Sequence, residues 1–542
     1  MKYCKSAISS FVFSAVVAPF VSTAAITVPS GDVDALTNAL KTCATWSTVV
    51  LEAGEYDLSS LTNAPMGVST YQGYSLLHLN VGVTLKGATG KAEEVILKGC
   101  GKYRIMSHAN GGSIKDLTMM YGHAEGGSYL AGGAVYATGS AIEISNCRFL
   151  FNSGIHGGAV NNDNCKNCYF YGNVAREDWN NGGGAGCGGT YVNCDFICNT
   201  NLYTWGGGGA LSGAAKVENC NVISNFTLYS GGGLYNCKNV SGCHVLYNAT
   251  VGPNNARGGG LYNCGTISNC TVVGNAASSF GNGMCDTSAY NTEFRFNSST
   301  HVSKDLKDFE LVKCTFVGSG ISDAAFVDLC TISAVSNVTY LSDNCHYGTK
   351  DVGITYPFSK CRHFRNTLIT DCWITNLSNH AAFYSDGSVT TLVENCTIAD
   401  NRFHYLMRGY KGEKTQMAFV NTAIVNNSRS SVGIGDVSGY ESPNTYMTNC
   451  VVGIVELALA DGIVWSDTQV LGPGGKPRFV ATGDFPYTPK YSSPLRANGK
   501  RLEWMTEDSV DLAGNARLRD GKVDIGAYQC WLDPIGAMLI LR

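Results

Sequence analysis

The apolar positions of this chain come in very short runs. The stretch GGGLYNCKNVSGCHVLYN (231–248) shows the unit: a glycine run, a short strand at Leu234 and Tyr235, a small turn, a second strand carrying Cys243 and Val245, and an Asn that closes it. The next unit repeats it as GGGLYNC (258–264) and SNCTVVGN (268–275). No long helical pattern accompanies these runs. Self-similarity at a period of 20–50 residues decides an architecture before local propensity does.

The second half of the unit can be followed along the chain. It reads SNCRFLFN (145–152), KNCYFYGN (166–173), VNCDFICN (192–199), ENCNVISN (218–225), YNTEFRFN (290–297) and VKCTFVGS (312–319). It returns as TDCWITN (370–376), ENCTIADN (394–401), VNTAIVNN (420–427) and TNCVVG (448–453). Early Cys-to-Cys steps are mostly 21–27 residues. Leucine-rich repeats share this period but need several Leu per turn and a helix or tight turn on the return side. Here each strand offers one Cys and one Val, Ile or Phe. The fold class is therefore all-β: a right-handed parallel β-helix of roughly 12–15 turns, each adding about 4.8 Å along the axis.

In such a rod equivalent residues stack. Cys147, Cys168, Cys194, Cys220, Cys243 and Cys270 form a ladder expected to face the core as small, reduced thiols. Asn152, Asn173, Asn199, Asn225, Asn248 and Asn275 form a second ladder, expected to take left-handed corner backbone and to bond amide to amide. The N-x-Ser/Thr triplets at Asn225 and Asn248 are assigned to the corner, not to glycosylation.

The flanks differ. Residues 25–130 read as an N-terminal cap and first turns, with Asp32 capping a helix near 33–43 and strands at 48–51, 76–79, 83–85, 95–97 and 114–119. The regular array covers 131–455, and 456–542 holds no further copy. A rod exposes a sheet edge at each end, so the helix and this tail are the expected caps. Residues 1–24 read as a secretory signal, with Lys2 and Lys5, an apolar run from Ile8 to Val21, and small residues Ser22 and Ala24 at the cut. Secretion or a cell-surface location follows, with no transmembrane segment in the mature chain.

Composition narrows the partners. Charged residues are 15% of the chain, against roughly 25% in ordinary domains. Net charge is −4 and no basic stripe occurs, which argues against nucleic acid. The Cys spacing lacks the close pairs of a zinc site, so no metal or cofactor is expected. A monomer is expected.

The Gly–strand–NCxFxxN turns resemble the bacterial parallel β-helix proteins of the pectin-lyase-like superfamily. The tail, through Asp511, Gly514, Arg517, Asp524, Gly526, Ala527 and Tyr528, resembles the terminal region of choice-of-anchor Q β-helix proteins, with Gln529 where that pattern has Glu. The resemblance implies a fold spanning about residues 26–530. It does not carry an activity, because the superfamily hosts lyases, hydrolases, adhesins and passive rods. Polygalacturonase-like members carry an Asp-Asp pair and a Gly-His-Gly; the chain has no Asp-Asp, and His123 and His156 have other neighbours. The Arg-x-Pro-x-x-Arg of pectate-lyase-like members is absent too.

What remains is a series of loops, each between a strand-closing Asn and the next glycine run. They carry His156, then Arg176, Glu177, Asp178 and Trp179, then Tyr203 and Trp205, then Tyr229, then Arg257; His123 and Glu125 precede the first glycine pair. Repetition should bring these loops to one edge. Flat aromatics beside acids suit a polysaccharide or cell-surface glycan, since sugars have apolar faces and polar rims. In the catalytic variant, a lyase or glycoside hydrolase acting on an acidic polysaccharide, Asp178 and Glu177 would be acid and base, with Arg176 or His156 steadying the substrate. In the plain variant the loops are solvated turns. A second group, Cys361 to Arg365 with Arg402, His404 and Arg408, is basic and aromatic, and reads as an insertion between turns.

Overall fold

The computed structural model describes residues 25–531, apart from 64, 70–72, 125–130, 177–181, 253–255, 279–280, 302–309, 323, 325, 334–357, 373–380, 386–389, 404, 410–415, 430–438, 441–443, 454–462 and 473. The segment 1–24, expected to be a secretory signal, lies outside the described residues.

The chain winds as a parallel β-solenoid. One turn shows the plan: Asn239–Ser241 lies in sheet A, His244–Leu246 in sheet B, Ala249–Thr250 in a narrow edge sheet, and Leu261–Tyr262 in sheet C. Apart from the antiparallel pair Gly67–Ser69 with Gly73–Leu79, the strands pair in parallel with their counterparts one turn away, as in Val217↔Val240↔Ile267. Among the described residues sheet A stacks 18 strands, sheet C 10 and the edge sheet 6. Eighteen strands at about 4.8 Å make a rod on the order of 80 Å long. The strands Glu293–His301 and Thr315–Ser322 continue from sheet B onto the third face, the first bending at left-handed Phe296 with a shift of register, and there Ile321 pairs with Phe358. Sheet B and that face are thereby joined without closing a barrel.

The corners explain the two ladders. Left-handed backbone falls on Asn146, Asn167, Asn193 and Asn219, just before each ladder Cys, and on Phe151, Cys198, Ser224 and Tyr247, just before each buried Asn. The buried Asn themselves are therefore not the left-handed residues: that conformation sits one position earlier. Their amides do stack. The Asn248 Oδ1 accepts from both the backbone N (2.9 Å) and the Nδ2 (3.0 Å) of Asn225, while Asn248 Nδ2 donates to the Val222 carbonyl. The same four-bond pattern repeats from Asn173 to Asn275, using both amide hydrogens and both lone pairs of each, while Asn152 at the start of the ladder accepts only from Gly122 N. Asn225 and Asn248 are buried, which closes them to glycosylation.

The Cys ladder does more than fill space. Cys194 Sγ donates to the Val192 carbonyl two residues back and accepts the Cys168 N–H from the adjacent turn. Thr287, Thr292 and Thr422 do the same with a hydroxyl. The position therefore demands a small side chain that both donates and accepts. All cysteines among the described residues are free, and most are buried. Burial pushes the Cys187 thiol up to about 11 and the Cys450 thiol up to about 12. Beside this ladder Phe149, Phe170 and Phe196 stack at 4.8 Å, the spacing of the turns.

The ends are treated unequally. Helix Val33–Thr42, its Asp32 side chain accepting from Ala35 N at 2.8 Å, buries Leu36, Ala39 and Leu40 over the first turns. Among the described residues the tail is seen on the rod's flank, not across its far end. Strands Ile463–Ser466 and Gln469–Val470 are still turns of the rod. The tail docks on the rod's side, where Leu495 and Ile525 pack on the outward Ala399, Ala423, Val425 and Val451 of sheet B. Its Gly526 N donates to the Asn421 carbonyl and its Ala527 N to Thr397 Oγ1. Fully buried Arg517 donates to the carbonyls of Asn395 and Gly526. Asp511 and Asp524 accept tail backbone N–H groups, and Gln529 Oε1 accepts the Asp524 N–H. The tail motif is thus the fastening of a flank segment. Stretch 114–119 also divides: Ser113–Lys115 and Thr118–Met120 are separate strands around left-handed Asp116.

Two outcomes test these corners. In native protein at pH 8 a thiol reagent should label exposed Cys198 fast and half-buried Cys43, Cys100 and Cys187 slowly, with the ladder reacting only after denaturation; equal labelling in both states would refute the buried ladder. A Cβ on Gly260 would stand 2.5 Å from the Gly283 carbonyl oxygen. Gly260→Ala should therefore destabilise by more than about 1 kcal/mol in a denaturant melt.

Candidate functional site

Each turn leaves the edge sheet at the same place. Backbone bonds link Leu202 N to Ala175 O, Leu228 N to Asn201 O, Val251 N to Thr227 O and Ser278 N to Thr250 O, and Arg176 N to Gly154 O below them. Loops starting at Ile155, Arg176, Leu202, Leu228, Val251 and Ser278 thus emerge one above another and return into sheet C. Buried polar side chains shape them. Asn201 Nδ2 donates to the carbonyls of Gly182 and Gly206, and Asn201 Oδ1 accepts the Tyr203 N–H. Thr227 Oγ1 donates to the Gly207 carbonyl and accepts the Tyr229 N–H.

Among the candidate residues, Trp205 is 65% exposed and Tyr203 half-buried. Arg176 is exposed, and its Nε donates to Ser153 Oγ at 2.8 Å. His123 bridges Ser153 through its backbone, and His156, which is buried, bridges Ala131. Arg257 gives its backbone N–H to Ser230 Oγ. Glu125, Glu177, Asp178 and Trp179 lie outside the described residues.

Sheet C supplies residues that the sequence reading passed over. Tyr235 and Tyr262 alternate with buried Leu234 and Leu261, so their rings face outward under the loops. They stack at 5.5 Å, and Tyr229 from the loop above lies 6.4 Å from Tyr235. Burial and the nearby Asp286 raise the Tyr262 hydroxyl well above its usual range, and Arg257 opposes the shift. On the next turn of the same column, Ser212 Oγ is buried with no hydrogen-bond partner among the described residues. The signal was present in GGGLYNC: Leu inward requires Tyr outward.

The basic group at 361–365 is not an insertion. His363–Arg365 is a sheet A strand, Cys361 and Phe364 are core, and His363 and Arg365 face carboxylates. His363 meets Glu394 at 2.9 Å, and Arg365 meets Asp328 at 2.5 Å while stacking between Phe326 and Trp504. His404 and the Arg408 side chain lie outside the described residues; Arg402 is exposed. A His–carboxylate dyad also exists at His108 and Asp163, 3.0 Å apart, with His108 Nδ1 on the Ala109 carbonyl. Both are buried in the rod, which removes them from any substrate.

No family model matches the chain, and no curated protein matches it. Several solved structures do. The catalytic unit of a thermostable GH87 α-1,3-glucanase from Streptomyces thermodiastaticus strain HF3-3 aligns at 10% identity and TM-score 0.25, covering 83% of this chain and 69% of that one. Pectate lyase Pel9A aligns at 10% identity and TM-score 0.18, covering 91% and 90%. The PL6 family alginate lyase AlyGC aligns at 10% and 0.20, covering 83% and 79%. At these values the stacking of the strands, not the alignments, defines the class: a parallel β-solenoid with a flank-docked C-terminal segment. No helix among the described residues is long and apolar enough to cross a membrane.

The buried dyad gives a pH test. Burial pulls the His108 imidazole down, but the Asp163 carboxylate and the Ala109 carbonyl outweigh it, and the net shift is upward. A raised folded value means the pair's stability is complete below the unfolded value of about 6.5 and is lost as pH climbs through the folded one. The melting temperature should fall from pH 6 to pH 9, and His108→Gln should flatten that slope. A wild-type curve flat over this range would contradict a charged pair.

Proposed function

We propose that this protein is a secreted or cell-surface rod that binds glycan along the loop edge beside sheet C, without chemistry of its own. The observation that carries it is the tyrosine wall of Tyr229, Tyr235 and Tyr262 beneath stacked loops, beside Arg257, with exposed Trp205 on the same edge. Aromatic faces meet the apolar faces of sugar rings, while Arg257 and the hydroxyl tips serve the polar rims. Repetition at one turn per step offers successive sugars equivalent surfaces. The signal-like start at 1–24 supports export.

The second reading is cleavage of an acidic polysaccharide. It is favoured by the sequence Arg176-Glu177-Asp178-Trp179, in which two acidic residues follow a cation along the chain. The first reading is preferred because its aromatic wall lies among the described residues, whereas of the two candidate histidines His156 is buried, and both His123 and His156 are engaged by backbone bridges at the corner.

A glycan array and a turnover panel separate the two. Binding without new reducing ends or unsaturated uronide supports the rod; turnover of an acidic polysaccharide supports the second reading. Trp205→Ala with Tyr235→Ala should weaken binding at least tenfold, about 1.4 kcal/mol, and shift melting little for the exposed Trp205 alone. Unchanged affinity in the double variant would remove this edge from consideration.

A further inference from the structure

The flank-docked tail leaves a cleft of about 700 Å³ against the rod. Its tail wall carries Lys476, Arg478 and Lys490, and its rod wall carries Asp400 and Asn426, with Tyr487 between. Asp400 and Asn426 reach it because both are left-handed corner residues, one turn apart, and both are exposed. They occupy the place that Phe151 and Tyr247 hold elsewhere on the rod.

The charges in this cleft are not spent on one another. Three cations face one carboxylate, and none of the four belongs to an ion pair among the described residues. Arg478 gives one guanidinium N–H to the Ser492 carbonyl and keeps the rest. The Tyr487 hydroxyl is held at 2.6 Å from Thr370 Oγ1, so its ring is fixed in place. Phe479 packs edge-on against that ring at 5.4 Å. Elsewhere the tail is fastened by buried bonds from Arg517, Gly526 and Ala527, so it does not need these charges to dock.

We infer that the cleft between the tail and the rod binds an acidic saccharide, at a site separate from the loop edge. The chemistry selects this class. An inorganic anion would satisfy the cations but leave Asp400 facing like charge. A neutral sugar would supply hydroxyl donors to Asp400 and Asn426 but leave three cations unmatched. A sugar bearing a carboxylate or sulfate answers both walls, and its ring face meets Tyr487 and Phe479. The volume fits an oligosaccharide end, not an extended chain.

The test uses the full-length mature chain in calorimetric titrations with oligogalacturonate, a sulfated oligosaccharide, a neutral maltooligosaccharide of equal length, and inorganic phosphate. One of the two acidic saccharides should bind, weaken with added salt, and lose at least tenfold in affinity in Lys476→Gln with Lys490→Gln. Trp205→Ala should leave that binding unchanged, which keeps this site distinguishable from the loop edge. Both lysines are exposed, so the variant's melting temperature should match the parent's and affinity alone should change. Binding of neither acidic saccharide, equal binding of the neutral one, competition by phosphate alone, or unchanged affinity in the lysine variant would each overturn the inference.

Discussion

The axial amide ladder is the constraint on which the rod depends. A two-residue corner turns the chain sharply between sheet B and the edge sheet, and would leave backbone N–H and C=O groups unpaired inside. A buried Asn solves this because its amide has two donors and accepts twice, matching one backbone N–H, one backbone carbonyl and the amides above and below. An unpaired amide there would cost about 1–3 kcal/mol, and each corner would incur it. Because each Asn accepts from the turn before and donates onward, the ladder also locks register: a slip by one residue breaks every member. The Cys and Thr positions do the same at the neighbouring corner with a single atom that both donates and accepts. This is why Thr replaces Cys there without disturbing the stack, and why the thiols need no cross-links.

Repetition made this part legible. Cys and Asn recurring at one place in each unit imply stacking, and stacking implies amide-to-amide bonds. The location of left-handed backbone was off by one residue because a ladder in sequence says which residues stack, not which carry the turn. Phe151 and Tyr247 in that conformation give no local hint, since bulky residues rarely adopt it. The tail was illegible for another reason. Its fastening links Asn395 to Arg517, Thr397 to Ala527 and Asn421 to Lys500, pairs separated by 79–130 residues with no repeated pattern. A segment with no copy of the repeat reads as a cap; only the outward Ala399 and Ala423, small where other turns place Tyr or Leu, mark the flank it covers.

The candidate edge was legible in position and not in chemistry. Loops bracketed by Asn and a glycine run must leave from one side, whatever their sequence. Which side chains lie under them depends on strand alternation, and a two-residue strand such as Leu234–Tyr235 shows too little alternation to draw notice. Tyr235 and Tyr262 therefore read as strand formers although they face outward. His108 presents the opposite case. Paired with a carboxylate it has the look of a general base, yet full burial makes it a structural ion pair, and geometry decides against the chemistry.

The two surfaces follow from one property of the rod. A solenoid repeats its outward positions as faithfully as its inward ones, so a column of equivalent corner residues is free to vary while the ladder behind it is fixed. On the lower turns the edge-sheet corner lengthens into loops, and the columns beside it become aromatic. On the upper turns the same corner places Asp400 and Asn426, and the tail closes over the adjacent face to supply cations opposite them. The core needs only Asn, Cys or Thr, and a branched or aromatic residue per turn. The outward columns are thereby released from folding, and recognition can change from turn to turn without cost to the stack.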